Sequence, residues 1–165
     1  CFDRWHAHST WYNRSYKMVA VAMANSIKPE SVIEIGCGLG EIISRIDSTT
    51  KIGFDTCDKV LMAASDYHDQ TIRWQSGSFF EAQTFEKDLL IASNWIHNLS
   101  PEELEKNILS NKSTTKYFLL ESITKNTDGF RYYHDFSFME KFSERIDRQE
   151  CGYGEPRELI LFRVL

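Results

Sequence analysis

Val32-Ile33-Glu34-Ile35-Gly36-Cys37-Gly38-Leu39-Gly40 is the stretch from which the fold is read, and Asp55, closing Lys51-Ile52-Gly53-Phe54-Asp55, is its companion. A short apolar run, a glycine-rich turn and a helical pattern from Glu41 describe a strand-turn-helix unit. Glycine adopts positive φ without steric cost and lets backbone approach a ligand closely. An acid at the end of the next apolar run offers a carboxylate that can accept from two vicinal hydroxyls. Glu34 stands two residues before Gly36, so both face the same side of the strand.

Outward from this unit the chain alternates strand and helix. Tyr16, Val19, Ala20, Met23 and Ile27 fall at three- and four-residue steps, predicting a helix over 13–26 that Pro29 ends. Strands are expected at 31–35, 51–54, 71–75, 89–92 and 117–121. The apolar character of the first suits an inner strand of a parallel sheet. Helices are expected at 41–47, 59–65 and 138–142, and from Pro101 to about Leu109 with Ser100 as cap. Two further strands, 144–150 and 158–164, flank the turn-rich Gly152-Tyr153-Gly154-Glu155-Pro156 and read as an antiparallel pair. The polar and aromatic stretch 124–133 reads as a loop lying over the site. The alternation argues for a doubly wound α/β sheet.

A length of 165 residues fits one domain with a sizeable core. A net charge of −5 disfavours nucleic acid as the main partner, which wants a basic face. No apolar stretch approaches the roughly 20 residues of a membrane span, and the amino end does not read as a signal peptide. The cysteines, at 1, 37, 57 and 151, lack paired zinc-type spacing. Cys37 and Cys57 are expected as free thiols, which suits a reducing, cytoplasmic setting. No metal site is expected.

The spacing Gly36-x-Gly38-x-Gly40, with Glu34 ahead of it, resembles motif I of the class I S-adenosylmethionine-dependent methyltransferases. It departs from the Gly-x-Gly-x-x-Gly of nicotinamide-binding folds. Further segments resemble the same family in order. Ile52-Gly53-Phe54-Asp55 is similar to its second strand, Asp88 to Asn94 to its fourth, Lys116 to Glu121 to its fifth and Arg157 to Arg163 to its closing strand. The resemblance implies a Rossmann-like, mostly parallel seven-stranded sheet with a C-terminal antiparallel hairpin, the last strand inserted beside the fifth. It implies one methyltransferase domain over 1–165, with 1–30 as a helical cap and 31–165 as the core. It also implies S-adenosylmethionine as cofactor.

On that resemblance, Glu34, Gly36, Cys37, Gly38, Gly40, Asp55, Ser78, Phe79 and Asn94 surround the cofactor. Asp55 holds the ribose, and Glu34 orients the glycine turn or the methionine amino group. The third-strand segment Gln75-Ser76-Gly77-Ser78-Phe79-Phe80 departs from the family, which often carries an Asp there for adenine. Ser78 and Phe79 are the substitutes considered, through backbone groups or a stacked ring; Phe80 is expected in the core. Ser93-Asn94-Trp95-Ile96-His97-Asn98 lacks the Asn/Asp-Pro-Pro-aromatic motif of nucleobase-amine methylation. Asn94 faces the crevice beyond the strand ends. His97 is a candidate base with a structural reading of similar weight, and His134 with Asp135 is another candidate pair, placed after the fifth strand, whose members need not act together. Trp11, Tyr12 and Tyr16 either close over the cofactor or pack on the sheet.

The function expected is methyl transfer to an oxygen or nitrogen of a small-molecule or sugar acceptor, by direct displacement. A non-catalytic module that kept the fold is the alternative. A nicotinamide oxidoreductase is disfavoured by the glycine spacing and the terminal hairpin.

Overall fold

The computed structural model describes residues 11–68, 70–124, 130–151 and 156–165. The connector residues 152–155 and part of the 124–133 loop lie outside them. In chain order the elements are α1 (Ser15–Ser26), β1 (Ser31–Ile35), β2 (Thr50–Asp55), α2 (Asp58–Tyr67) and β3 (Ile72–Ser76). There follow α3 (Phe79–Ala82), β4 (Lys87–Ala92), α4 (Pro101–Asn111), β5 (Thr115–Ile123), β6 (Ser143–Glu150) and β7 (Arg157–Val164).

The seven strands form one sheet in the order β3-β2-β1-β4-β5-β7-β6. The first five run parallel; β7 enters antiparallel beside β5 and pairs antiparallel with β6. This is the doubly wound sheet with a closing hairpin that the sequence predicts. Its order reverses at β1, whose neighbours are β2 and β4, and a crevice opens at that switch point. The register pairs Ile35 with Phe54 and with Ala92, so Gly36, Asp55 and Ser93 emerge together at the carboxyl edge.

Both faces are apolar, as covered parallel strands require. One carries Ile33, Ile35, Phe54, Leu90, Phe118 and Leu120 against α3, α4 and the 3-10 turn at Ser137–Lys141. The other carries Val32, Leu89, Ile91, Leu119 and Leu161 against Tyr16, Ala20, Met23 and Ala24 of α1. The amino-terminal helix is therefore part of the core packing on that face. Among the described residues, no helix is long and apolar enough to cross a membrane.

Two expectations about local structure fail. The helix predicted over 41–47 is a single 3-10 turn, Ile43–Arg45. Ile42, Ile43 and Ile46 are all buried there, and β-branched residues serve a compact, irregular crossover better than an isolated helix. Conversely, α3 is a helical turn that the reading left out. Its signal is the capping box Ser78-x-x-Glu81, in which the Ser78 amide donates to Glu81 Oε2 at 2.7 Å. The cysteine expectation divides: Cys37 and Cys151 are free, whereas Cys57 is disulfide-bonded. That bond removes half of the observation behind the reducing setting.

Candidate functional site

The glycine turn begins where β1 ends. Gly36, Gly38 and Gly40 all have positive φ (68°, 54° and 72°), which few other residues adopt. Two of them also need their missing side chain. A Cβ on Gly36 would overlap the Trp95 indole, and one on Gly40 would overlap Trp74. Trp95 is fixed by its own Nε1–H, which donates to the Ile35 carbonyl at 2.7 Å.

Asp55 ties the turn to β2. Its Oδ2 accepts from the Gly38 amide at 3.1 Å and its Oδ1 from the Cys57 amide at 2.9 Å. A carboxylate offers about four lone-pair positions, so two remain for hydroxyl donors. Glu34 is buried, and its Oε2 accepts from the Ile43 amide at 3.1 Å. Burial is the main cause that raises its pKa from 4.5 to about 8, against the lowering effect of the Ile43 amide and of Lys17.

Above these residues lies a cleft of about 390 Å³ lined by Ile35, Gly36, Gly38, Asp55, Thr56, Gly77, Ser78, Ser93, Asn94 and Trp95. A smaller recess of about 50 Å³ shares Gly36, Gly38, Ser93 and Asn94 with it, and adds Tyr16, Lys17, Glu34, Cys37 and Glu41. The two together form an elongated site with a carboxylate at one end and an ammonium group at the other. Lys17 is ion-paired with Glu41, whose other oxygen accepts from the Trp11 amide at 2.9 Å.

The structure thus brings together Glu34, Gly36, Cys37, Gly38, Asp55, Ser78 and Asn94. Cys37 is buried and its thiol is held well above its ordinary pKa, burial being the largest cause, so it is an inert wall. Gly40 serves the turn and its packing on Trp74 rather than the cleft surface.

Other assignments change. Phe79 is 2% exposed and packs on Trp95 with ring centroids 5.7 Å apart, so its ring cannot stack on a ligand. Phe80, expected in the core, is 71% exposed. The one-turn helix α3 sends adjacent residues in different directions, and Phe79 takes the inward one. The Ser78 hydroxyl is occupied as the α3 cap. Tyr16 lines the recess, whereas Tyr12 is 91% exposed.

Neither histidine lines the cleft or the recess. His134 is buried, with Nε2 donating to the Ile96 carbonyl at 3.0 Å, and belongs to a separate cavity with Ser122, Tyr133 and Asp135. His97 is half-buried against Phe130, and burial, then Arg157 and His134, hold its pKa below 6.5. The reading missed Lys17, Thr56, Ser93 and Trp95. Thr56, Ser93 and Trp95 directly neighbour named residues, but Lys17 arrives from a distant helix and carries no local signal.

No protein-family model matches the chain, and no curated protein matches it significantly by sequence. Solved structures do match. The N-methyltransferase NodS of Bradyrhizobium japonicum superposes with a TM-score of 0.79 at 13% identity, covering 93% of this chain and 96% of that one. Magnesium protoporphyrin IX methyltransferase of Synechocystis, solved with bound S-adenosylhomocysteine (SAH), gives 0.75 at 12% identity, covering 92% and 84%. The methyltransferase domain of bacterial CtHen1 gives 0.72 at 16% identity, covering 92% and 99%.

Proposed function

Starting from a chain with the class I methyltransferase fold, we propose that it binds S-adenosylmethionine and transfers its methyl group to an oxygen or nitrogen of a small-molecule or sugar acceptor. The observation that carries this is the elongated cleft at the β1 switch point, with the Asp55 carboxylate at one end, the glycine turn beneath and Lys17 at the other end. Structural neighbours with SAH bound, the Synechocystis enzyme and NodS, support the same ligand.

The residues present fit that ligand group by group. Asp55 has lone pairs left for the two ribose hydroxyls after accepting from Gly38 and Cys57. Gly36 and Gly38 allow close approach of the backbone. Lys17 offers a cation to the carboxylate of the amino-acid end and Glu41 an anion to its ammonium group, while Glu34, its pKa raised to about 8 by burial, stands beside them largely protonated. Thr56, Gly77 and Ser78 line the part of the cleft left for the adenine, the Gly77 and Ser78 amides being already bonded to the Asp55 carbonyl and Glu81 Oε2. Bound S-adenosylmethionine supplies an already activated sulfonium methyl. The chain's contribution is alignment and exclusion of water. His97, outside the cleft and recess, is the proposed base only for an acceptor that extends beyond the cleft, burial favouring its neutral form; His134 has the structural role given by its bond to Ile96.

In this reading residues 1–30 are a cap and 31–165 the catalytic core of one domain. A cytoplasmic location goes with it and requires that Cys57, disulfide-bonded in this structure, be reduced in protein taken directly from cells; thiol titration tests this, and an intact bond would overturn that location.

A second reading, a ligand-binding module without transfer activity, draws on one observation: among the described residues, no histidine lines the cleft. The two are separated by incubating the protein with radiolabelled S-adenosylmethionine and fractionated small-molecule, RNA and protein pools. Label in a small-molecule fraction supports the first reading. Cofactor binding with label in no fraction supports the second.

A further inference from the structure

Asn94 follows β4 at the lip shared by cleft and recess, in the left-handed region with φ 66°. Two buried residues hold it there. Glu121, on β5, accepts from the Asn94 backbone amide through Oε2 at 2.6 Å. Arg157, at the start of β7, donates from Nη1 to Asn94 Oδ1 at 2.7 Å and approaches both Glu121 oxygens, at 3.4 and 3.5 Å. The guanidinium lies against two rings, 4.9 Å from Tyr16 and 5.5 Å from Phe130.

This arrangement settles which way the amide points. Arginine has no acceptor, so the atom of Asn94 facing Arg157 must be oxygen. The donor end, Nδ2, is left, and among the described residues no protein acceptor takes it. Asn94 therefore brings a donor, and not an acceptor, to the lip of the recess that also holds Lys17.

We propose that Arg157 and Glu121 are positioning residues that lock Asn94 so that its amide NH2 donates to the carboxylate at the amino-acid end of the cofactor. This rests on the methyltransferase reading. It assigns a ligand-dependent task to an ion pair placed on two strands beside the cleft. It also explains why asparagine stands at a left-handed position where glycine would be easier: glycine would carry no donor.

The test is a double-mutant cycle read by calorimetry with two ligands, SAH and 5′-methylthioadenosine, which lacks the amino-acid end. The proteins are the wild type, Asn94→Gly, Arg157→Met, Arg157→Lys and the Asn94→Gly/Arg157→Met pair. Glycine accepts the backbone angle, so Asn94→Gly deletes only the amide. Asn94→Gly and Arg157→Met should each weaken SAH by about tenfold, the worth of one charge-assisted hydrogen bond. The double variant should be no weaker than either alone, because both remove one interaction. Arg157→Lys should restore part of the loss, and 5′-methylthioadenosine should bind all five alike.

Losses that multiply in the double variant, or that fall equally on both ligands, overturn the inference while leaving the methyltransferase reading intact. Failure of the wild type to bind either ligand withdraws both. Should Arg157→Met not fold, as circular dichroism would report, the cycle runs through Arg157→Lys, whose smaller loss of SAH affinity should vanish in the Asn94→Gly background; a loss that persists there overturns the inference.

Discussion

The Asp55 carboxylate and the Gly38 amide, 3.1 Å apart, join the end of β2 to the middle of the glycine turn. With its other oxygen on the Cys57 amide, Asp55 shapes the cleft before any ligand arrives. It therefore has two separable roles. Asp55→Ala should lower the unfolding free energy by about 2 kcal/mol, the scale of a charged acceptor lost from backbone donors. It should also weaken nucleoside binding strongly. Asp55→Asn keeps one oxygen for the backbone and turns its NH2 toward the other amide donor, so it should recover only part of the stability and little of the affinity. Urea denaturation beside ligand titration reads the two effects independently.

Gly36 is constrained twice, by φ 68° and by the Trp95 ring where a Cβ would go. Gly36→Ala should destabilise the protein by about 2–4 kcal/mol, left-handed strain adding to overpacking. Because Trp95 must move, its fluorescence should shift in the folded variant. A variant with wild-type emission and stability would contradict the packing described.

Glu34 makes stability depend on pH with a definite sign. Its pKa in the folded chain is about 8 against an ordinary 4.5. Between these values the folded state holds a proton that the unfolded state has lost, so its contribution to stability falls as pH rises from about 4.5 to about 8. Below 4.5 the full contribution is present. Glu34→Gln, which cannot ionise, should flatten that slope. Thermal denaturation from pH 5 to 8 measures it; parallel curves for the two proteins would count against a raised pKa.

Ser78 caps α3, so Ser78→Ala should cost about 1 kcal/mol of stability. SAH affinity should change little, since the hydroxyl is already occupied. A large loss of affinity without loss of stability would return Ser78 to ligand recognition.

Strands were legible because their signal is local. The run Val32 to Ile35 and the run Leu89 to Ala92 are apolar throughout, as covered parallel strands must be, and the glycine spacing marks the turn between them and the ligand. The crossover at 41–47 misled because three isoleucines at helical spacing also satisfy a compact turn. Phe79 and Phe80 could not be told apart without knowing that a helix starts between Ser78 and Phe79. That start was written in the Ser78-x-x-Glu81 box. Lys17 and Arg157 reach the site from α1 and β7, and only the sheet order brings them near Gly36 and Asn94. Contacts of that kind have no sequence period. The Cys57 bond is likewise a tertiary fact, invisible in spacing.

Whether the cleft between Asp55 and Lys17 holds S-adenosylmethionine is decided by calorimetric titration of the wild type and Asp55→Ala with S-adenosylmethionine, SAH and NAD. Both sulfur ligands should bind saturably at about micromolar Kd, with severe weakening in Asp55→Ala and no binding of NAD. Absence of binding by both sulfur ligands, or preference for NAD, would contradict it.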